Sequence, residues 1–191
     1  MDIEKILLLP ELQPIRERAK EWLEVLNRDI DFWHKESIMH TKEHVSRVLI
    51  YALLIGHHLE LAEADLNILS TAAIFHDTRR KNDGLDVGHG KRAAEYYRSH
   101  VQVLGLDFNP TCYDIIYFHD RNDKKGIKAL SHNPQAQSNG VLLYQAFKDA
   151  DALDRFRLSL FGLDVRYLRT PPALELVPLA ERIWLDYCKD F

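Results

Sequence analysis

At 191 residues and 46% apolar side chains, the chain has enough hydrophobic material for one domain with a buried core. Lys and Arg number 25 against 29 Asp and Glu, so the net charge is −4, and whole-chain charge argues against a nucleic-acid polymer as partner. Cys112 and Cys188 match no zinc or redox spacing, and no apolar run approaches the roughly 20 residues that span a membrane. The opening Met1-Asp2-Ile3-Glu4 lacks a basic leader segment, so the expectation is a cytoplasmic protein with inert thiols. Ten histidines are the compositional excess.

Glycine is scarce, alternating patterns are absent, and Leu, Ala, Glu, Lys and Arg dominate the long segments, which predicts an all-α chain. Residues 12–28 carry Ile15, Ala19, Trp22, Leu23 and Leu26 at helical spacing. Residues 40–58 set His44, Val48, Tyr51, Ala52 and Ile55 on one face. Residues 64–76 are apolar nearly all round, the mark of a central helix. Asp86 is a cap candidate for a helix to about Val101, and Asn109-Pro110 for one to about His119. SHNPQAQSNG (131–140) reads as a loop, a helix follows over roughly 140–160, and Thr170-Pro171-Pro172 opens a last one. No repeat or linker divides the chain. Residues 1–37 read as an N-terminal helical extension packed on a core of 38–160, with 161–191 as a C-terminal helical segment of the same domain.

The apolar run LNILSTAAIF ends in His76-Asp77, which puts an imidazole and a carboxylate side by side at the rim of the core. Such donors on a rigid helix end suit first-row metals. His40 and His44, four apart, share a helix face, either as a chelating pair or as one ligand and a neighbour. Asp149 and Asp151 point about 200° apart on a helix, so at most one faces a given site. Asp151, among Phe147, Ala150 and Ala152, needs a cation or strong donors, which an ion pair with Arg155 would also supply.

HVSRV (44–48), AAIFHDTRR (72–80) and DADALD (149–154), in this order and spacing, resemble the HD-domain superfamily of metal-dependent phosphohydrolases. The resemblance covers roughly residues 38–160. It implies a single-domain helical bundle of the HD-domain type in which His44, His76, Asp77 and Asp151 bind metal. It further implies that His89 and His119 hold a second ion, with Asp77 as the bridge. Asp120 stands where binuclear members often have a second histidine, and Thr78-Arg79-Arg80 replaces the segment that carries an acid/base glutamate in some members. The cofactor expected is one or two divalent transition ions per chain, Fe, Mn, Co, Ni or Zn, with Mg as a further candidate.

Basic residues follow each candidate ligand: Arg79, Arg80 and Lys81; Lys91 and Arg92; Arg121, Lys124, Lys125 and Lys128; Arg155 and Arg157. In an acidic chain this predicts a local field for an anion, with Arg79, Arg80, Lys91, Arg121 and Arg155 as substrate contacts. The leading expectation is a phosphomonoesterase or phosphodiesterase for a small, nucleotide-like phosphorylated substrate. Asp77 is its metal-binding catalytic residue and Asp120 its general acid or base. The alternatives are a di-iron oxygenase, to which the superfamily also extends, and a non-catalytic ligand sensor. No membrane partner is expected, and the three tryptophans leave a homo-oligomer open.

Overall fold

Two helices that are apolar almost all round form the centre of the molecule: α3 (Lys42–His58) and α4 (Glu63–Phe75). Every residue of α3 from His44 to Gly56 is buried, as is every residue of α4 from Ile68 to Phe75. Amphipathic helices could not tolerate this, so the two need cover on several sides. The cover comes from α1 (Ile3–Leu7), α2 (Arg16–Asp29), α5 (His89–His100), α6 (Pro110–Phe118), α7 (Asp123–His132), α8 (Gly140–Leu153), α9 (Pro171–Glu175) and α10 (Val177–Tyr187). The computed structural model describes residues 2–37 and 40–188, and among these there is no strand.

The architecture is an all-α, single-domain bundle. α3 packs against α4 on one side and α8 on another, α5 pairs with α6, and α7 sits against α6 and α8. α2 crosses α3, and α1 meets α10. The sequence-expected boundary at residue 38 lies outside the described residues.

The helix ends follow local chemistry. Thr41 caps α3, its hydroxyl accepting from His44 N at 3.4 Å, and Asn109 caps α6, its side chain accepting from Cys112 N at 3.0 Å with Pro110 at the first helical position. Three expectations are corrected. Asp86 does not cap α5: the helix starts at His89, after Gly88 at φ +94°, a left-handed conformation that favours glycine. The Asp86 carboxylate instead accepts from Lys81 N and Arg92, bracing the loop before the helix. Helix α7 has no counterpart in the sequence reading, which left 131–140 as a loop; the true loop is 133–139. α8 ends at Leu153 and passes into a 3-10 turn, Asp154–Arg157, instead of running to about 160.

One close approach positions the site. A Cβ on Gly90 would stand 2.9 Å from the carbonyl oxygens of Ile116 and Tyr117 and from Asp120 Oδ1. Two of these atoms are backbone of α6 and cannot swing aside. Gly90→Ala should therefore push α5 off α6 and lower stability by about 1–3 kcal/mol, read from the urea midpoint. His89 and His119 flank this contact, so the same variant should weaken any ion they share.

Candidate metal centre

Three helices and the ends of two more aim imidazoles and carboxylates at one point. His44 comes from the first turn of α3, and His76-Asp77 from the C-terminal end of α4. His89 comes from the first residue of α5, His119 from the end of α6, and Asp151 from α8. The histidines and Asp77 are buried, while the Asp151 side chain is 31% exposed and opens onto a cleft. Helix α8 settles the Asp149–Asp151 alternative. Asp149 points the other way, where it accepts from Arg169 N, Thr170 N and the Thr170 hydroxyl and anchors the C-terminal segment.

Asp77 stands between two groups. Its Oδ1 lies 3.0 Å from His89 Nε2 and 3.5 Å from His119 Nε2. Its Oδ2 lies 3.5 Å from His44 Nε2 and 3.8 Å from His76 Nε2. On the second side, His44 Nε2 is also 3.6 Å from Asp151 Oδ1. Among the described residues three donor sets are close enough to hold an ion: His44, His76 and Asp151; Asp77, His89 and His119; and His40, His44 and Asp77.

The tautomers decide what these sets can hold. His76 Nδ1 donates to Ala73 O, His119 Nδ1 to Ile116 O and His89 Nδ1 to Asp86 O, each at 2.7 Å. A carbonyl only accepts, so Nδ1 carries a proton, and in the neutral ring the lone pair sits on Nε2. His44 Nδ1 faces the Asp154 carboxylate at 2.7 Å, with the same consequence. The bare Nε2 atoms then confront one another: His44 and His76 at 3.2 Å, His89 and His119 at 2.9 Å. Lone pair against lone pair, beside carboxylate oxygens, is repulsive unless a cation lies between them. The buried histidine and aspartate groups could therefore hold a metal ion, with the outer nitrogens held as metal-bound histidines are held. Arg80 reaches the edge of the second group, with Nη1 3.2 Å from His89 Nε2 and 3.6 Å from Asp77 Oδ1.

Burial shapes the charge states. It drives the His76 ring down to about 3, so this histidine is neutral and its lone pair is free for a ligand bond.

Two residues of the site were not among the ligands expected from sequence. His40, 12% exposed, puts Nδ1 2.6 Å from Asp77 Oδ2. Its spacing from His44 was the available signal. Asp154 is the second. It accepts from His44 Nδ1 and from Arg47, whose Nη2 lies 3.0 Å away, and so fixes the His44 ring. Three residues beyond Asp151, it falls on the same side of the chain. Asp154→Ala removes the carboxylate facing a buried guanidinium and should cost about 3–5 kcal/mol in denaturant unfolding. Asp154→Asn keeps the shape and should instead show a metal affinity lowered about 10–100-fold.

The open side is a cleft of about 750 Å³ lined by His40, Asp77, Arg80, His89, His119, Asp151 and the segment from Arg155 to Arg169. Arg80 and Arg155 line it, as do Lys148, Arg157 and Arg169, of which sequence reasoning gave substrate contact only to the first two. Arg79 and Lys91 are corrected: both lie on another face. Arg79 donates to Asp31 O at 2.6 Å and stacks over the Tyr96 ring, because successive residues past a helix end diverge. Arg121 lies outside the cleft lining, its Nε 3.0 Å from Asp120 Oδ1. Asp120 lines the cleft, but its Oδ2 accepts from Gly88 N at 2.6 Å, which makes it a brace for the turn before His89.

Five basic side chains in the lining (Arg80, Lys148, Arg155, Arg157, Arg169) face five acidic ones (Asp77, Asp83, Asp120, Asp151, Asp164). The side chains alone are balanced, and each divalent ion would tip the cleft towards anions. None of the described helices is long and apolar enough to cross a membrane. No protein-family model, curated protein or solved structure matches the chain, so its own geometry carries the functional reading.

Proposed function

We propose that the chain is a metal-dependent phosphohydrolase of the HD type, acting on a small phosphorylated substrate as a phosphomonoesterase or phosphodiesterase. The observation that carries this is the opposition of bare Nε2 atoms across Asp77, open on one side to a cleft with arginines and a lysine. His44, His76, Asp77 and Asp151 would hold one ion, and Asp77, His89 and His119 a second. Such ions lower the pKa of bound water and polarise a phosphoryl oxygen. The chain's own groups do the rest. Asp154, Ala73 O, Asp86 O and Ile116 O keep the rings in one tautomer and orientation. Arg80, beside Asp77, and Arg155 at the cleft wall orient the anion. Asp120 serves as a positioning residue for the Gly88–His89 turn.

The test is hydrolysis of nucleotides, sugar phosphates, alkyl phosphates and their diesters with a series of divalent ions, read as phosphate or alcohol released. Release that stops on chelation and is lost in Asp77→Ala is expected. No turnover with any ion, in protein that holds metal, would reject it. The two-sided Asp77 also supports a second reading, a di-iron oxygenase using the same six residues. Two irons per chain in protein purified without added metal, with a mixed-valent EPR signal and oxygen uptake, would select it.

A further inference from the structure

We infer that the organic part of the substrate is hydrophobic, held by an apolar vestibule that the segments 85–87 and 158–167 form at the mouth of the cleft. This rests on the reading of the cleft as a phosphate-ester site. Scattered exposed apolar residues need no explanation, but a cluster of them around one opening does. Leu85 and Phe161 are each 94% exposed and Tyr167 is 69% exposed. Leu158 is a further exposed apolar residue of these segments, and Leu163 is partly buried. Leu85, Leu158, Leu163 and Tyr167 line the same cleft as Asp77 and Asp151, so both segments border the cavity that holds the candidate metal centre.

The occupant follows from continuity and size. The inner end offers Arg80, Lys148 and Arg157, which suit a phosphoryl group; the outer end offers hydrocarbon and one phenol ring. A cleft of about 750 Å³ lies in the range that encloses drug-sized ligands and is far larger than a phosphoryl group needs. The cations and the apolar rim share one cavity, so a single molecule with an anionic head and an apolar body satisfies both. The segment is also tied down rather than left loose. Arg155 Nε donates to Gly162 O at 2.8 Å, and Arg169 pairs with Asp123 and Asp149, so the apolar side chains stand on a braced frame.

The experiment is calorimetric binding of methylphosphonate and octylphosphonate to the metal-loaded chain, with the triple variant Leu85→Ser, Phe161→Ser, Tyr167→Ser alongside. Each buried methylene is worth roughly a factor of three to four, so burying even two predicts octylphosphonate binding about tenfold tighter or more. In the variant, checked for helicity and metal content, the ratio of the two affinities should fall towards one. Equal affinities in the wild type would overturn the inference, as would failure of both ligands to bind. So would a ratio unchanged in the variant. A concentration-dependent dimer abolished by the same substitutions, without a chain-length preference, would assign the patch to a second copy instead. Binding is read without turnover, so a chain-length preference with no hydrolysis rejects the phosphohydrolase reading alone. Hydrolysis without the preference rejects this inference alone.

Discussion

Asp77→Ala should lose one of the two expected metal equivalents and bind the other more weakly, whereas His119→Ala should lose one and hold the other as tightly as the wild type. The reasoning is that the two oxygens of Asp77 serve different partners. Oδ1 faces His89 and His119, and Oδ2 faces His44 and His76. Removing His119 leaves its group with one imidazole and one carboxylate oxygen, too few to hold a transition ion against water. The other group keeps its donor set of His44, His76 and Asp151, with Asp77 Oδ2 still 3.5 Å from His44 Nε2. Removing Asp77 strips a donor from each group at once. It also leaves the His89–His119 pair with no carboxylate in its donor set. Elemental analysis after dialysis, with helicity checked by circular dichroism, should read two ions in the wild type and one in each variant, and competition with a chelator should separate the two variants by the affinity of the ion that remains. A wild type that takes up one ion under every metal tested would show that the His89–His119 side is a hydrogen-bonded pair and no ion site. Asp77→Ala retaining two ions would show that Asp77 bridges nothing.

The site was legible wherever a ligand broke a pattern. His76-Asp77 stands out because a helix buried on all sides has no ordinary reason to end in an imidazole and a carboxylate. Helical geometry allowed only one of Asp149 and Asp151 to face the site, since residues two apart on a helix point about 200° from each other, and the family resemblance singled out Asp151. What stayed hidden depends on directions outside helices or on contacts between distant segments. Arg79 and Arg80 are neighbours just past α4, yet one stacks on Tyr96 and the other faces Asp77. Periodicity says nothing about that split. Arg169 enters the cleft from an irregular segment held by Asp123 and Asp149, and no local signal announces it. Lys148 could have been found, since it lies one turn before Asp151 on α8 and shares its face. α7 escaped because it is only 10 residues long and Gly126 inside it lowers its helix propensity. Its glycine is there because a Cβ would meet the Tyr144 ring at 2.4–2.8 Å, a tertiary reason.

Chelation should lower the thermal midpoint by about 8–16 °C, and returning a divalent ion should restore it. An ion that binds the folded chain alone adds about 4 kcal/mol when its free concentration is a thousand times its Kd. For a domain of 191 residues each kcal/mol moves the midpoint by roughly 2–4 °C. The effect should be large here because the metal-free centre is unfavourable in itself. Two pairs of Nε2 atoms face each other at 3.2 and 2.9 Å while their Nδ1 protons are committed to Asp154, Ala73 O, Asp86 O and Ile116 O. The rings cannot relieve the repulsion by flipping without breaking those buried hydrogen bonds, each worth about 1 kcal/mol and more costly when left unmade. The ring on α3 is further pinned through Asp154 to Arg47, so its strain passes into the central helix rather than into a loop. Loss of metal should therefore loosen the whole bundle as one transition, visible as earlier unfolding by near-ultraviolet as well as far-ultraviolet dichroism. A midpoint left in place by a chelator, in protein shown to have given up its metal, would mean that the six groups stand together without an ion. The argument from opposed lone pairs would then fail.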